Sequence, residues 1–184
     1  MKITFNLSFD NYYEYNRIYS RISIGKNLDT IFKLGVFEAV VGFGVLFLRL
    51  IQVLQNKTSI VLGILLAVVG IYMILHSKVF FYSKMKREVA YRFKNHEYFK
   101  NARTVEIGDD HIITSSEVDD YRANFNEDLK EFIETENLFM VMVHGRRGII
   151  IPKSAVDVKE LREVFRKIAE EYNVRYRSIR RKKR

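Results

Sequence analysis

LGVFEAVVGFGVLFLRLIQVL (Leu34–Leu54), then QNKT (Gln55–Thr58), then SIVLGILLAVVGIYMIL (Ser59–Leu75): these stretches decide the fold. A helix rises ~1.5 Å per residue, so the first run crosses a hydrocarbon core of ~30 Å. The second carries no charge and is extended by His76–Tyr82, where Lys78 can snorkel and Tyr72 and Tyr82 suit an interface. A bilayer offers no water to unpaired backbone groups, so a short polar turn between two such runs implies antiparallel helices. The chain therefore reads as a membrane α-helical hairpin over 31–78 with a soluble domain attached.

The first run holds two charges, Glu38 near one end and Arg49 near the other, eleven residues on and on roughly the same face. An ionisable residue inside a span is a functional candidate by default. Gly35-xxx-Ala39 and Gly63-xxx-Ala67 offer small faces for helix contact, within the hairpin or between copies of the chain. Charge flanking the runs sets the orientation. Lys57 is the only positive residue between them, whereas Arg17, Arg21, Lys26 and Lys33 precede them and Lys78, Lys84, Lys86, Arg87, Arg92 and Lys94 follow. The positive-inside rule then puts both termini in the cytoplasm of a multi-pass protein. MKITFNLSFD at the start has no apolar core at signal-peptide distance, so no cleaved signal is expected.

Outside the hairpin the patterning changes. Ile3, Phe5, Leu7 and Phe9 alternate with polar residues as a half-buried strand does. Tyr12, Tyr15, Ile18, Tyr19 and Ile22 then recur at helical spacing, so 1–30 reads as a strand and a tyrosine-rich amphipathic helix. Tyr82, Met85, Val89 and Phe93 mark another amphipathic helix over 79–100. From Arg103 short strands follow: Thr104–Ile107, Ile112–Ser115, an alternating run at Tyr121–Phe125, an ambiguous Leu129–Thr135, Leu138–Val143 and Gly148–Ile151, stopped by Pro152. Asp157-Val-Lys-Glu160 resembles a capping box opening a last amphipathic helix through Tyr172. Residues 101–174 are thus an α+β domain, an antiparallel sheet closed by a C-terminal helix. The last ten residues hold seven of the cations behind a net charge of +9, so the remainder is nearly balanced. Arg175, Arg177, Arg180, Arg181, Lys182, Lys183 and Arg184 read as a solvated polybasic tail, 175–184.

This layout resembles the YcxB-like membrane proteins of bacteria. The N-terminal strand with its tyrosine-rich helix, the hairpin, and Gly148-Ile-Ile-Ile-Pro152-Lys153 before a closing helix carry the resemblance. It implies a partial barrel of pleckstrin-homology-like type, the bacterial cytoplasmic membrane and no established enzymatic role.

The residues themselves offer little chemistry. There is no cysteine, which excludes disulfides, thiolate nucleophiles and cysteine zinc sites. His76, His96, His111 and His144 have no partner at metal-ligand spacing, and there is no phosphate loop or nucleophile elbow. No cofactor and no enzymatic activity are expected. Arg146 and Arg147, at a hairpin tip in His144-Gly-Arg-Arg-Gly148, are the recognition candidates of the soluble domain, together with the basic tail. Anionic lipid is their nearest partner, an acidic protein patch the next, and nucleic acid the more distant. The expectation is a membrane-anchored interaction or regulatory module. The alternative is a small subunit of a transporter or channel assembly, with Glu38 and Arg49 as its working polar groups.

Overall fold

A computed structural model describes residues 1–51, 56–96, 99, 101–145 and 148–179. Two compact units result. One joins Met1–Asn16 to Val89–Arg184, and the other is Arg17–Glu88. Both boundaries between these units fall inside helices. The cause is continuity. Helix α1 (Phe9–Leu50) is a single helix of 42 residues, with no proline to separate its tyrosine-rich start from its apolar end.

In the helical unit, α1 runs antiparallel to a second path. This comprises α2 (Lys57–Leu75), a π-helical turn (His76–Phe80) and the first part of α3 (Phe81–Asn95). Helix α2 begins two residues earlier than the apolar pattern suggests, because Asn56 acts as its N-cap. The Asn56 side chain accepts from the Thr58 amide at 3.1 Å and the Thr58 hydroxyl at 2.8 Å. Gln55, the first residue of the expected turn, lies outside the described residues. Contacts along the pair are Ser20 Oγ to Met85 Sδ at 3.4 Å, Lys78 to Asp29 at 3.5 Å, and Lys78 over the Phe32 ring at 4.5 Å. Farther along, glycines meet. A Cβ on Gly42 would touch the Ala67 amide and lie 2.8 Å from the Gly63 carbonyl. A Cβ on Gly70 would touch the Ala39 amide and lie 2.6 Å from the Gly35 carbonyl. Both small-residue faces are used within the chain, which lets the backbones approach as closely as they do.

The opposite faces of these helices are large, apolar and exposed. Phe37, Val40, Phe43, Phe47 and Leu50 on α1, and Val61, Leu65, Val68, Tyr72 and Phe80 on the returning path, are about half or more exposed. Only 17% of the most apolar window of each helix is buried. These two helices are long and apolar enough to span a bilayer.

The other unit holds two four-stranded sheets and a helix. The first is β1 (Lys2–Phe5), β2 (Arg103–Ile107), β3 (His111–Ser115) and β4 (Asp120–Asn124), antiparallel throughout. Strand β1 thus pairs with a strand a hundred residues away, and the Met1 amine donates to the Ile107 carbonyl at 2.8 Å. The second has the order β7-β6-β5-β8, from β5 (Leu129–Glu134), β6 (Leu138–Val143), β7 (Ile149–Pro152) and β8 (Arg175–Ser178). Strands β5, β6 and β7 are antiparallel neighbours, while β8 lies parallel to β5. Every residue of β6 and β7 is buried, which fits strands covered on both faces.

Helix α4 (Val158–Glu171) covers one face. Asp157 accepts from the Lys159 and Glu160 amides at its start, as the capping pattern suggests. Leu161, Phe165, Ile168 and Ala169 are its buried stripe. Phe165 stacks on Phe132 at 4.6 Å and meets Phe139 edge-on at 5.7 Å. Sequence patterning placed β2, β3, β4, β6 and β7 within a residue or two and left β5 ambiguous, whereas the strand expected through Phe9 ends at Phe5 and Phe9 opens α1. The expected tail is corrected at its start, since Arg175–Ser178 is a strand. Its alternation of charge concealed two residues that bond into β5.

Candidate functional site

Strands β5 and β7, helix α4 and strand β8 converge on one carboxylate, Glu134. It occupies the last position of β5 and is 5% exposed. Lys153, directly after β7, reaches its Oε1 at 2.7 Å. Arg162 of α4 forks onto both oxygens, with Nε 3.0 Å from Oε2 and an amino nitrogen 2.6 Å from Oε1. The Tyr176 hydroxyl of β8 donates to Oε2 at 2.6 Å. Lys153 also lies 5.0 Å from the Phe139 ring centre, and Arg166 5.7 Å from that of Tyr176. Three residues earlier on β5, buried Glu131 accepts from Arg177 at 2.7 Å. The Ile179 amide closes the arrangement on the Glu134 carbonyl at 2.7 Å.

These contacts set the proton affinities. The Arg162 hydrogen bonds, with those from Lys153 and Tyr176, outweigh burial and lower the Glu134 carboxyl to about 2. Burial first, and then the hydrogen bond to Glu134 and the Glu134 charge, push the Tyr176 hydroxyl up. The hydrogen bond to Glu134 raises Arg162 in turn. A carboxylate holding donors on both oxygens is a poor base, and so the cluster acts as a clamp fastening β8 and α4 to β5.

Acid should therefore loosen this unit. The folded-state value lies below the usual 4.5, so the stabilisation is present above pH 4.5 and is lost as pH falls toward 2. By linkage the shift corresponds to about 3 kcal/mol. Urea unfolding between pH 5 and pH 2.5 should show this loss, and Glu134→Gln should flatten the dependence.

The residues singled out in the sequence are distributed as follows. Arg146 and Arg147 lie outside the described residues, as do Arg180, Arg181, Lys182, Lys183 and Arg184. Flanking Arg146 and Arg147, Gly145 and Gly148 have φ of 69° and 113°, values that suit glycine. Arg175 is exposed on β8. Arg177 is half-buried and paired with Glu131, so it serves the fold and is not a free surface cation. Glu38 and Arg49 are both half-buried on α1. Glu38 Oε2 is shielded from solvent and has no hydrogen-bond partner among the described residues. Among the described residues no group of three His, Asp or Glu side chains is placed to hold a metal.

Sequence reading missed Glu134 and Arg162. The available signals were slight: an acid in the buried phase of Leu129–Thr135, and a lysine directly after the proline that stops a buried strand.

Residues 107–169 match the family model of the YcxB-like proteins. Over that segment the chain is similar to the YcxB-like proteins. No curated protein and no solved structure matches the chain. The matched segment contains three members of the clamp, Glu134, Lys153 and Arg162, and ends before the fourth, Tyr176. The Ile149–Lys153 stretch of the matched segment thus has a local physical role: three buried isoleucines seat the strand, and Lys153 ties its end to β5.

Proposed function

We propose that this chain is a non-enzymatic, multi-pass protein of the bacterial cytoplasmic membrane, with both termini in the cytoplasm. Its YcxB-like domain serves as an interaction or regulatory module for anionic lipid or an acidic protein partner. The exposed large apolar side chains of Leu34–Ile51 and Ile60–Phe80 carry the membrane part of this reading. The basic flanks support the orientation, since Lys57 alone is positive at the turn. Four antiparallel strands, then three, then a closing helix support a pleckstrin-homology-like relationship. Arg146, Arg147, Arg175 and the basic residues from Arg180 to Arg184 are the proposed contacts.

One observation favours a second reading. The unpartnered Glu38 Oε2 inside an apolar helix suits a subunit of a transport or channel assembly, where a cation or a further helix meets it. Glu38→Gln removes function under that reading and is silent under the first.

Vesicle binding tests the first reading. Tyr12 and Phe93 lie 6.3 Å apart by ring centres, so a short flexible linker can replace residues 17–88 and keep β1 in its sheet. This linked domain should sediment with phosphatidylglycerol vesicles at low salt and not with phosphatidylcholine vesicles. Arg146→Glu with Arg147→Glu should lower binding at least tenfold. Equal sedimentation with both vesicle types, or with neither, contradicts lipid recognition by the domain.

A further inference from the structure

The exposed apolar surface of the helical unit stops abruptly, and a different surface begins. On α1 it ends at Leu34, and on the returning path at Phe80. Over residues 17–33 and 78–88 the two helices carry Arg17, Arg21, Lys26, Lys33, Lys78, Lys84, Lys86 and Arg87 against only Asp29 and Glu88. All of these charged residues are exposed. Asp29 is already held by Lys78, which the Phe32 ring also braces. Lys26, Lys33, Lys84 and Arg87 form no ion pair among the described residues.

Position makes this excess specific. At ~1.5 Å per residue, Lys26 and Lys33 lie within ~12 Å of the apolar edge along α1. Lys84 and Arg87 lie within ~10 Å of it along the returning path. That places them at or just beyond a headgroup layer and within about one Debye length of it, where exposed cations interact strongly with a charged surface. Crowding like charges on neighbouring turns costs free energy unless anions neutralise them, and the anion adjoining a hydrocarbon core is the acidic phospholipid headgroup.

We propose that Lys26, Lys33, Lys78, Lys84 and Arg87 form a collar that binds acidic phospholipid headgroups and selects them as the lipids surrounding the hairpin. This rests on the membrane-spanning reading and is independent of the Arg146-Arg147 loop and the C-terminal residues. The collar belongs to the helices, so lipid selection follows from insertion and needs no engagement by the YcxB-like domain.

The test uses the full chain in detergent with equal phosphatidylglycerol and phosphatidylcholine, and counts retained lipids by native mass spectrometry. Several-fold enrichment of phosphatidylglycerol is expected. It should fall to near parity in K26Q/K33Q/K84Q/R87Q, survive in K26R/K33R/K84R, and survive in R146Q/R147Q. Unchanged enrichment in the quadruple glutamine variant, or loss in R146Q/R147Q alone, overturns the collar. Reconstitution into phosphatidylcholine vesicles followed by an alkaline wash separates the two ideas. A chain that washes off overturns the spanning reading, and the collar with it. One that stays embedded yet shows no lipid preference overturns the collar only.

Discussion

Gly42→Leu should destabilise the helical hairpin by about 3 kcal/mol or more, whereas Gly44→Leu, two residues along the same helix, should be nearly neutral. The contrast follows from what each new side chain meets. A Cβ at position 42 runs into the backbone of Ala67 and Gly63, while one at position 44 has nothing within 4 Å. Backbone cannot rotate aside as a flexible side chain can, so the helices must separate. Overpacking of even a few methylenes costs about 1–3 kcal/mol, and leucine adds more than that. Separation also forfeits the dispersion contacts that hold helices together in an apolar solvent, where no hydrophobic force between them compensates. Gly70→Leu should behave like Gly42→Leu, since its Cβ meets the Ala39 amide and the Gly35 carbonyl. Thermal unfolding in detergent micelles measures the difference. Equal unfolding temperatures for the variants at 42 and 44 would mean that the helices do not pack through this seam.

Glu134→Gln should cost about 3–5 kcal/mol and release β8, because removing one partner of a buried ion cluster leaves the others uncompensated. Here two cations, Lys153 and Arg162, lose their shared anion, and Tyr176 loses its acceptor charge. Hydrogen exchange should report the loss locally. The amides of β8 and the start of α4 should exchange faster, while β2 and β3 keep their protection. Glu131→Gln should have a smaller effect, since it frees only Arg177, which is about a third exposed. Uniform exchange through both sheets would contradict a local clamp.

These two predictions come from features of very different legibility. The hairpin was legible because two long apolar runs separated by a short polar turn stand out in the sequence, and the seam because glycine and alanine at four-residue spacing stand out between leucines and valines. Strand β6 was legible to the residue, since LFMVMV admits no exposed face. The unity of α1 was not, because its patterning changes near residue 30 from a tyrosine-rich amphipathic stripe to an apolar run, and neighbours such as Leu28, buried in the helical unit, carry the helix through that change. Strand β8 was hidden for another reason. Arg175-Tyr-Arg-Ser178 has no apolar alternation, and it joins the sheet through Glu131 and Glu134, whose availability depends on a pairing forty residues distant. The Glu134 clamp itself joins four elements, and no periodicity within one element reveals a contact among four.

The absence of cysteine from the chain makes a direct topology measurement simple. Single cysteines replace Asn56, exposed at the α2 cap, and Ser178, exposed on β8. Each variant is treated in intact bacterial cells with a membrane-impermeant maleimide, before and after permeabilisation. Asn56→Cys should label in intact cells, and Ser178→Cys only once the membrane is opened. Labelling of Ser178→Cys in intact cells, or equal labelling of both positions there, would contradict a hairpin that crosses the membrane twice from the cytoplasm.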